Sequence, residues 1–78
     1  MARTFMDDDL LTWEAYVSGG QPDTPEAARI FFLCLDSPLH PARFVSHDSR
    51  SVATAERELL AANEDDLRAM LARSVEND

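Results

Sequence analysis

Ser46, His47 and Asp48 carry the three side-chain types of a hydrolytic triad in consecutive positions. A triad works only when hydroxyl, imidazole and carboxylate line up as nucleophile, base and orienting group. Neighbouring residues of an extended chain point to opposite sides, so these positions cannot line up in that way. The chain also lacks the Gly-x-Ser-x-Gly motif that presents a nucleophilic serine on a sharp turn. We therefore interpret residues 46–48 as a turn that follows a strand.

Two groups of residues have side chains that could bind a metal ion. Asp7-Asp8-Asp9 is an acidic run, but a calcium loop needs alternating oxygen ligands, a glycine and a distal glutamate at fixed spacing. His40, His47 and Cys34 could supply zinc ligands, yet neither a Cys-x₂-Cys nor a His-x₃-His spacing occurs. We therefore predict no metal site, a solvated turn at residues 7–9, and a buried apolar role for Cys34.

No other pattern in the sequence indicates catalysis or cofactor binding. The only glycines are Gly19 and Gly20, so no glycine-rich phosphate loop exists, and no pair of carboxylates stands out among the fifteen. We predict no catalytic residue and no cofactor. The chain is expected to be a non-enzymatic protein.

The composition describes a small acidic chain. It has 78 residues and a net charge of −8, and its seven basic residues are all arginine. This negative charge would repel nucleic-acid phosphates and anionic membrane surfaces, so neither is an expected partner. Abundant alanine without lysine indicates GC-biased coding and a bacterial origin. A length of 78 residues predicts one domain, residues 1–78, of marginal stability.

The single cysteine and the lack of long apolar runs indicate the cellular compartment of the protein. One cysteine cannot form an internal disulfide, which is typical of a reducing compartment. No stretch has the apolar length of a signal peptide or a membrane span. We therefore expect a cytoplasmic protein.

The N-terminal part has the alternating pattern of a β-hairpin. Leu11, Trp13, Ala15 and Val17 alternate with polar residues or Tyr16, which is typical of a half-buried strand. We predict strands at 3–6 and 10–17, joined by the aspartate turn, with Phe5 and Trp13 on the inner side. Gly19-Gly20 ends the second strand, and a long loop follows it.

The central run, residues 28–36, is the most apolar part of the chain. Thr24-Pro25-Glu26 resembles a helix start, and the apolar residues that follow include one helical stripe. Such a helix would, however, be apolar on nearly every side, and adjacent phenylalanines beside isoleucine favour a strand. We predict a strand over 29–35, with a helix as the alternative.

The remaining chain predicts one more strand and a helical C-terminal part. Two prolines place a turn near residues 36–41, and alternation resumes over 42–46. Helical stripes follow over 52–62 and 64–74, divided by a capping box at Asn63 and Asp66. A single bent helix is the alternative, and residues 75–78 are expected to fray. The fold class is α+β, an antiparallel β-meander of about four strands with one or two C-terminal helices on one face.

The predicted central strand is apolar on both faces, whereas the helices can cover only one. Burial of one large apolar side chain contributes about 1.5–3 kcal/mol, so an uncovered face would forfeit several kcal/mol. A curled sheet, the loop at 19–28 or another chain could cover the second face, and we favour another chain. The candidate interface residues are Phe31, Phe32, Leu33, Leu35, Trp13 and Tyr16.

These features predict a protein–protein interaction or assembly module that binds itself or a protein partner. A first alternative is a small-molecule-binding or enzyme-accessory domain, with a pocket near Trp13 and Tyr16. A second alternative is an acidic decoy of a nucleic-acid-binding protein, because residues 56–78 carry a net charge of −4, with seven acids against three arginines.

One combination of segments resembles a group of known proteins. It consists of Phe5, the acidic turn, Trp13, the apolar run 30–35 and a closing Asn63-Glu-Asp-Asp-Leu-Arg-Ala-Met-Leu helix. It is similar to small uncharacterised bacterial proteins that open with a Phe–Asp–Trp hairpin and end on a Leu-rich acidic helix. The resemblance covers most of the chain. It implies a strand at the centre and transfers no functional residue.

Overall fold

A computed structural model describes residues 2–18, 28–37, 39–46 and 52–76 of the chain. These residues form five strands and two helices in the order β1 (Ala2–Met6), β2 (Thr12–Ser18), β3 (Arg29–Cys34), β4 (Arg43–Ser46), α1 (Val52–Ala61), α2 (Glu64–Ala72) and β5 (Val75–Glu76). Except for Ala28, the loop expected at 19–28 lies outside the described residues, together with the alternative helix start at Thr24. His47 and Asp48 of the expected turn also lie outside them.

The strands form one antiparallel sheet in the order β1-β2-β3-β4-β5, and the two helices pack on one of its faces. The predicted α+β meander is therefore confirmed. The central run is a strand from Arg29 to Cys34, which decides against the helical alternative over those residues. Of the helices in the described part of the chain, none has both the length and the apolar character that a membrane crossing requires.

The hydrophobic core lies between the sheet and the two helices. The alternation of β2 turns Trp13 and Ala15 inward, as predicted, and β3 adds Ile30 and Phe32. The rings of Phe5 and Phe32 meet edge to face, with their centroids 6.0 Å apart. From the helices, Leu59 and Leu67 close this core. Because successive side chains of a strand point to opposite faces, every second residue of β2 and β3 faces the helices.

The two helices are separate, which excludes a single bent helix. Asn63 has extended backbone, and its side chain accepts a hydrogen bond from the Asp66 N–H at 2.8 Å. The Asp66 carboxylate in turn accepts the Asn63 N–H at 3.3 Å, completing the predicted capping box. This reciprocal pair satisfies two backbone donors that the start of a helix leaves without intrahelical partners.

Residues 75 and 76 were expected to fray, but they do not; residues 77 and 78 lie outside the described part of the chain. Val75 and Glu76 pair with Phe44 and Arg43 and form the fifth strand. The Arg43 guanidinium donates to the Ser74 hydroxyl at 2.8 Å and to the Ser74 carbonyl at 2.6 Å, and the buried hydroxyl donates to the Leu71 carbonyl. The hydroxyl and carbonyl groups of Ser74 thus have hydrogen-bond partners, as buried polar groups usually do. The bonds from Arg43 hold the chain beside β4.

A second arginine joins β1 to the junction of the helices. The Arg3 guanidinium donates to the carbonyl oxygens of Leu59, Leu60 and Ala62 at 2.9–3.0 Å. Helix α1 ends at Ala61, so the Leu59 and Leu60 carbonyls belong to its last turn, where the usual helical donors are missing, and the Ala62 carbonyl follows directly. Besides Arg3, the Leu59 carbonyl accepts only the Ala62 N–H among the described backbone donors, at 3.3 Å. A positive charge at this end also complements the helix dipole. Arg3 therefore stabilises the C-terminus of α1 against the sheet.

Candidate protein interface

The two faces of β3 have different surroundings. Ile30 and Phe32 are buried beneath the helices, with Phe32 at 0% exposure. Phe31 and Leu33 alternate with them and point to the opposite face of the sheet. None of the described helices packs on that side. We call it the open face, formed by the side chains of Ala2, Thr4, Met6, Thr12, Glu14, Tyr16, Ser18, Arg29, Phe31, Leu33, Phe44, Ser46 and Val75.

An aromatic row crosses the middle of the open face. Tyr16, Phe31 and Phe44 are direct cross-strand partners on β2, β3 and β4. The Tyr16 and Phe31 rings are stacked with centroids 5.6 Å apart, and the Phe31 and Phe44 centroids are 5.8 Å apart. Ala2 and Val75 continue the row on the outer strands. Cross-strand pairs of this kind stabilise a sheet, and here they also give its surface a continuous apolar band.

Apolar side chains also lie on one side of the aromatic row. Leu33 is 36% exposed beside Glu14, its partner on β2. Met6 lies further along the same face, and Leu35 follows β3 with its N–H donating to the Thr12 carbonyl. Leu35 is 54% exposed. The open face thus combines stacked rings with aliphatic side chains that remain accessible to solvent.

A single arginine lies on the other side of the row. The Arg29 guanidinium carbon is 4.9 Å from the centroid of the Phe44 ring, a cation–π geometry. Its partners in the sheet are Ser18 and Ser46. Among the described open-face side chains, Arg29 and Glu14 are the charged ones, so this surface has no net charge although the whole chain carries −8.

The structure separates the six predicted interface residues into two groups. Tyr16, Phe31 and Leu33 share the open face, and Leu35 follows it in the same alternation. Phe32 and Trp13 lie in the core beneath the helices, so their side chains are not accessible to a partner. Phe44 and Val75 belong to the aromatic row and were not among the candidates. The alternation over 42–46 contained the signal for Phe44, whereas nothing local indicated Val75.

The aspartate run forms a turn that Asp7 organises. One Asp7 carboxylate oxygen accepts the N–H groups of Asp9 and Leu11, each at 2.9 Å. The other accepts the Trp13 indole N–H at 2.8 Å. The turn also holds Leu10 at φ 67°, a left-handed conformation. Asp7 thus directs its oxygens to three donors, which is a structural role.

Electrostatics at this turn favour the ionised form of Asp7. Partial burial acts to raise the pKa of Asp7, but three opposing effects outweigh it. These are the hydrogen bond from Trp13, those from the Leu11 and Asp9 N–H groups, and the charge of His40. The pKa of Asp7 therefore lies below its ordinary value.

The lowered pKa of Asp7 predicts an acid-sensitive contribution to stability. A carboxyl whose pKa falls on folding stabilises the protein above its unfolded-state pKa, and this contribution is lost as the pH falls through the folded-state value. We expect Asp7→Asn to lower the free energy of unfolding at pH 7 and to flatten its decline below about pH 4. Urea unfolding at a series of pH values measures both effects. Asp8→Asn, in the same turn, is the control, and an equal change in that variant would contradict the assignment to Asp7.

The remaining candidate sites receive no geometric support from the described residues. Within that part of the chain, no three His, Cys, Asp or Glu side chains are grouped as metal ligands. Cys34 is half-buried and packs against the core. Of Ser46, His47 and Asp48, which the sequence already indicated are not a triad, only Ser46 lies in the described ranges. Trp13 and Tyr16 lie on opposite faces of β2, so they do not line one pocket.

Surface acids on α2 are engaged in local contacts. Arg68 donates to Glu64 and Asp65, each at 3.0 Å, while Asp66 belongs to the capping box. An open groove of about 360 Å³ lies between α1 and α2 and is lined by Glu58, Ala61, Ala62, Asp66, Ala69, Met70 and Arg73. Its charges are mixed. The acids of α2 thus serve helix stability, as expected for a solvated helix face.

Comparisons with protein-family models, with curated proteins and with solved structures found no match to this chain. The geometry of its own surface is therefore the basis for assigning a function.

Proposed function

We propose that this chain is a protein–protein interaction module that binds through the open face of its sheet. The aromatic row formed by Tyr16, Phe31 and Phe44 supports this most directly. It lies opposite the helices, and accessible leucines adjoin it. Contiguous apolar surface on a small protein commonly marks a site of interaction with another macromolecule.

The residue types on the open face suit a protein partner. Tyrosine and phenylalanine are enriched at protein interfaces because each buries a large area while few rotatable bonds lose freedom. A sheet face is also broad and shallow, a shape suited to packing against another sheet. A small-molecule site would instead be concave and enclose most of its ligand.

The β1 edge of the sheet is a less suitable binding surface than its open face. β1 is an edge strand, and its Met6 carbonyl accepts a hydrogen bond from the Arg68 guanidinium at 2.8 Å. An added strand would need carbonyl and N–H groups of the edge as its partners. Arg68 occupies one of these positions, so strand addition at β1 would first require its displacement.

Two leucine variants test the proposed function. Leu33 is 36% exposed on the open face, and Leu60 is 43% exposed on α1. We expect Leu33→Asp to weaken partner binding by about tenfold or more, because an interface leucine contributes roughly 1.5–3 kcal/mol when it is buried. Leu60→Asp introduces the same charge on the helical side and should leave binding unchanged.

Capture from native lysate on immobilised protein, quantified for both variants and the parent chain, measures this effect. Circular dichroism verifies that each variant is folded. Binding of a hydrophobic dye by the parent chain should also fall in Leu33→Asp and persist in Leu60→Asp. Equal capture by the parent chain and Leu33→Asp, or loss only in Leu60→Asp, would contradict a role for the open face.

A further inference from the structure

We infer that the partner of the open face is a second copy of this chain, packed face to face about a two-fold axis that passes over the Tyr16–Phe31 ring pair. In this arrangement Arg29 of each copy lies opposite Glu14 of the other. The inference rests on the proposed function and identifies the occupant of the same surface.

The positions of the two charges fit a two-fold contact. In a two-fold contact, if Arg29 of the first copy meets Glu14 of the second, then Glu14 of the first copy also meets Arg29 of the second. Arg29 lies one row to one side of Phe31 on β3, and Glu14 lies one row to the other side of Tyr16 on β2. The line that joins the Cα atoms of Arg29 and Glu14 is therefore centred between the Cα atoms of Tyr16 and Phe31. The Arg29 guanidinium lies over Phe44 in the single chain, and in the dimer it turns toward Glu14 of the other copy. An axis there exchanges the two charges between copies.

This axis also sets the angle between the two sheets. Strands lie about 4.8 Å apart and side chains on one face repeat every ~6.8 Å, so the line from Arg29 to Glu14 is inclined by about 20° to the strands. The two-fold axis doubles this inclination, and the strands of the two copies therefore cross at about 40°. Sheets that pack face to face in aligned sandwiches cross at about 30°. The charge pairing and the preferred packing of sheets thus require nearly the same orientation.

The distribution of charge removes the main obstacle to self-association. The chain carries −8, but the described open-face side chains contribute one positive and one negative charge. Exposed acids such as Glu64 and Asp65 lie on the helical side. In the paired arrangement the outer surfaces of the two helix layers are about 40 Å apart. Because the Debye length is about 8 Å at physiological ionic strength, repulsion between those surfaces is largely screened.

The same charge distribution argues against a strongly charged partner. A basic protein would be attracted to the acidic helical side, and an acidic protein would find only Arg29 on the open face. A second copy supplies an equally broad, neutral aromatic row and one opposite charge for each of the two charges. The open face is therefore complementary to itself.

The size of the open face predicts a weak dimer. Five strands at a spacing of about 4.8 Å span about 19 Å. With strands of comparable length, pairing would bury on the order of 800–1,000 Å² in total, which is below the usual range of stable interfaces. We therefore expect a reversible dimer with a dissociation constant in the micromolar range.

Charge reversal across the proposed contact provides the test. Sedimentation velocity from about 1 μM to 1 mM should show the parent chain passing from monomer to dimer. Arg29→Glu and Glu14→Arg each create two like-charge contacts per dimer, so each should raise the dissociation constant at least about tenfold. The double variant reverses both charges, and it should return the dissociation constant to within about threefold of the parent value.

Matched controls separate this pairing from effects of net charge and folding. Arg57→Glu changes the net charge as Arg29→Glu does, but at an exposed position on α1, and it should dimerise like the parent chain. Circular dichroism verifies folding. Arg29→Gln probes the same contact without a new negative charge, and it should weaken the dimer even if Arg29→Glu fails to fold.

The possible outcomes distinguish this inference from the proposed function. A parent chain that is monomeric at 1 mM, or a dimer that the double variant fails to restore, overturns the two-fold pairing. If the open face is nevertheless needed for capture in the Leu33→Asp experiment, the interaction module stands with a different partner. If Leu33→Asp changes neither capture nor dimerisation, both proposals fail.

Discussion

Replacement of Phe32 by alanine is expected to lower the free energy of unfolding by about 3–5 kcal/mol. Phe32 is fully buried at the centre of the sheet, and its ring meets that of Phe5 edge to face. Truncation removes the transfer free energy of the ring and leaves a cavity that the surrounding residues fill only in part. A domain of this size has a total stability of roughly 4–12 kcal/mol, so the loss amounts to at least about a quarter of the total and would unfold a chain at the low end of this range at room temperature.

Phe31→Ala is the matched control for Phe32→Ala. The two residues are adjacent and chemically identical, but Phe31 lies on the open face and is only partly buried. We expect it to lose about 1–1.5 kcal/mol, mainly through its contacts with Tyr16 and Phe44. Urea unfolding followed by tryptophan fluorescence measures both values. Similar losses in the two variants would show that the open face is as well covered as the core.

Replacement of Arg3 by methionine is expected to lower the free energy of unfolding by about 2–3 kcal/mol. One guanidinium nitrogen serves three carbonyl oxygens at the end of α1, and methionine keeps most of the apolar stem while it removes every donor. The carbonyls would then depend on water at a partly buried site. For a domain of this length the midpoint of thermal unfolding should fall by roughly 10–20 °C.

Two further variants test the cause of the Arg3 effect. Arg3→Lys retains the positive charge, but an ammonium cannot reproduce the planar geometry of the guanidinium, so we expect it to recover only part of the stability. Arg57→Met removes an exposed arginine from α1 and should change the midpoint little. Full recovery in Arg3→Lys would show that charge alone is sufficient. An equal loss in Arg57→Met would remove the special role of Arg3.

The N-terminal hairpin and the capping box could be predicted because their signals are local. Alternation places Trp13 and Ala15 on one side of β2 whatever the strand pairs with, and the structure buries both. Asn63 and Asp66 satisfy each other's backbone donors across three residues, so the start of α2 needs no tertiary contact. Predicted and observed bounds of these elements differ by two residues at most.

The fifth strand could not be predicted because its causes are distant in sequence. Two residues are too few to show a periodic pattern, and Val75 also extended the apolar stripe of the preceding helix. Its position beside β4 depends on the hydrogen bonds from Arg43 to Ser74, which join residues 31 positions apart. The contact of Arg3 with the end of α1 is likewise invisible locally, since it joins residues up to 59 positions apart.

The residue pattern was sufficient to show that β3 has two apolar faces and that the C-terminal helices could cover only one of them. Which face is covered depends on helix packing, because burial of Ile30 and Phe32 beneath Leu59 and Leu67 leaves Phe31 and Leu33 on the open side. Side chains of similar hydrophobicity on both faces cannot encode that choice locally. Cross-strand register also decided that Tyr16, Phe31 and Phe44 form one row, since residues far apart in sequence become neighbours only when the strands pair.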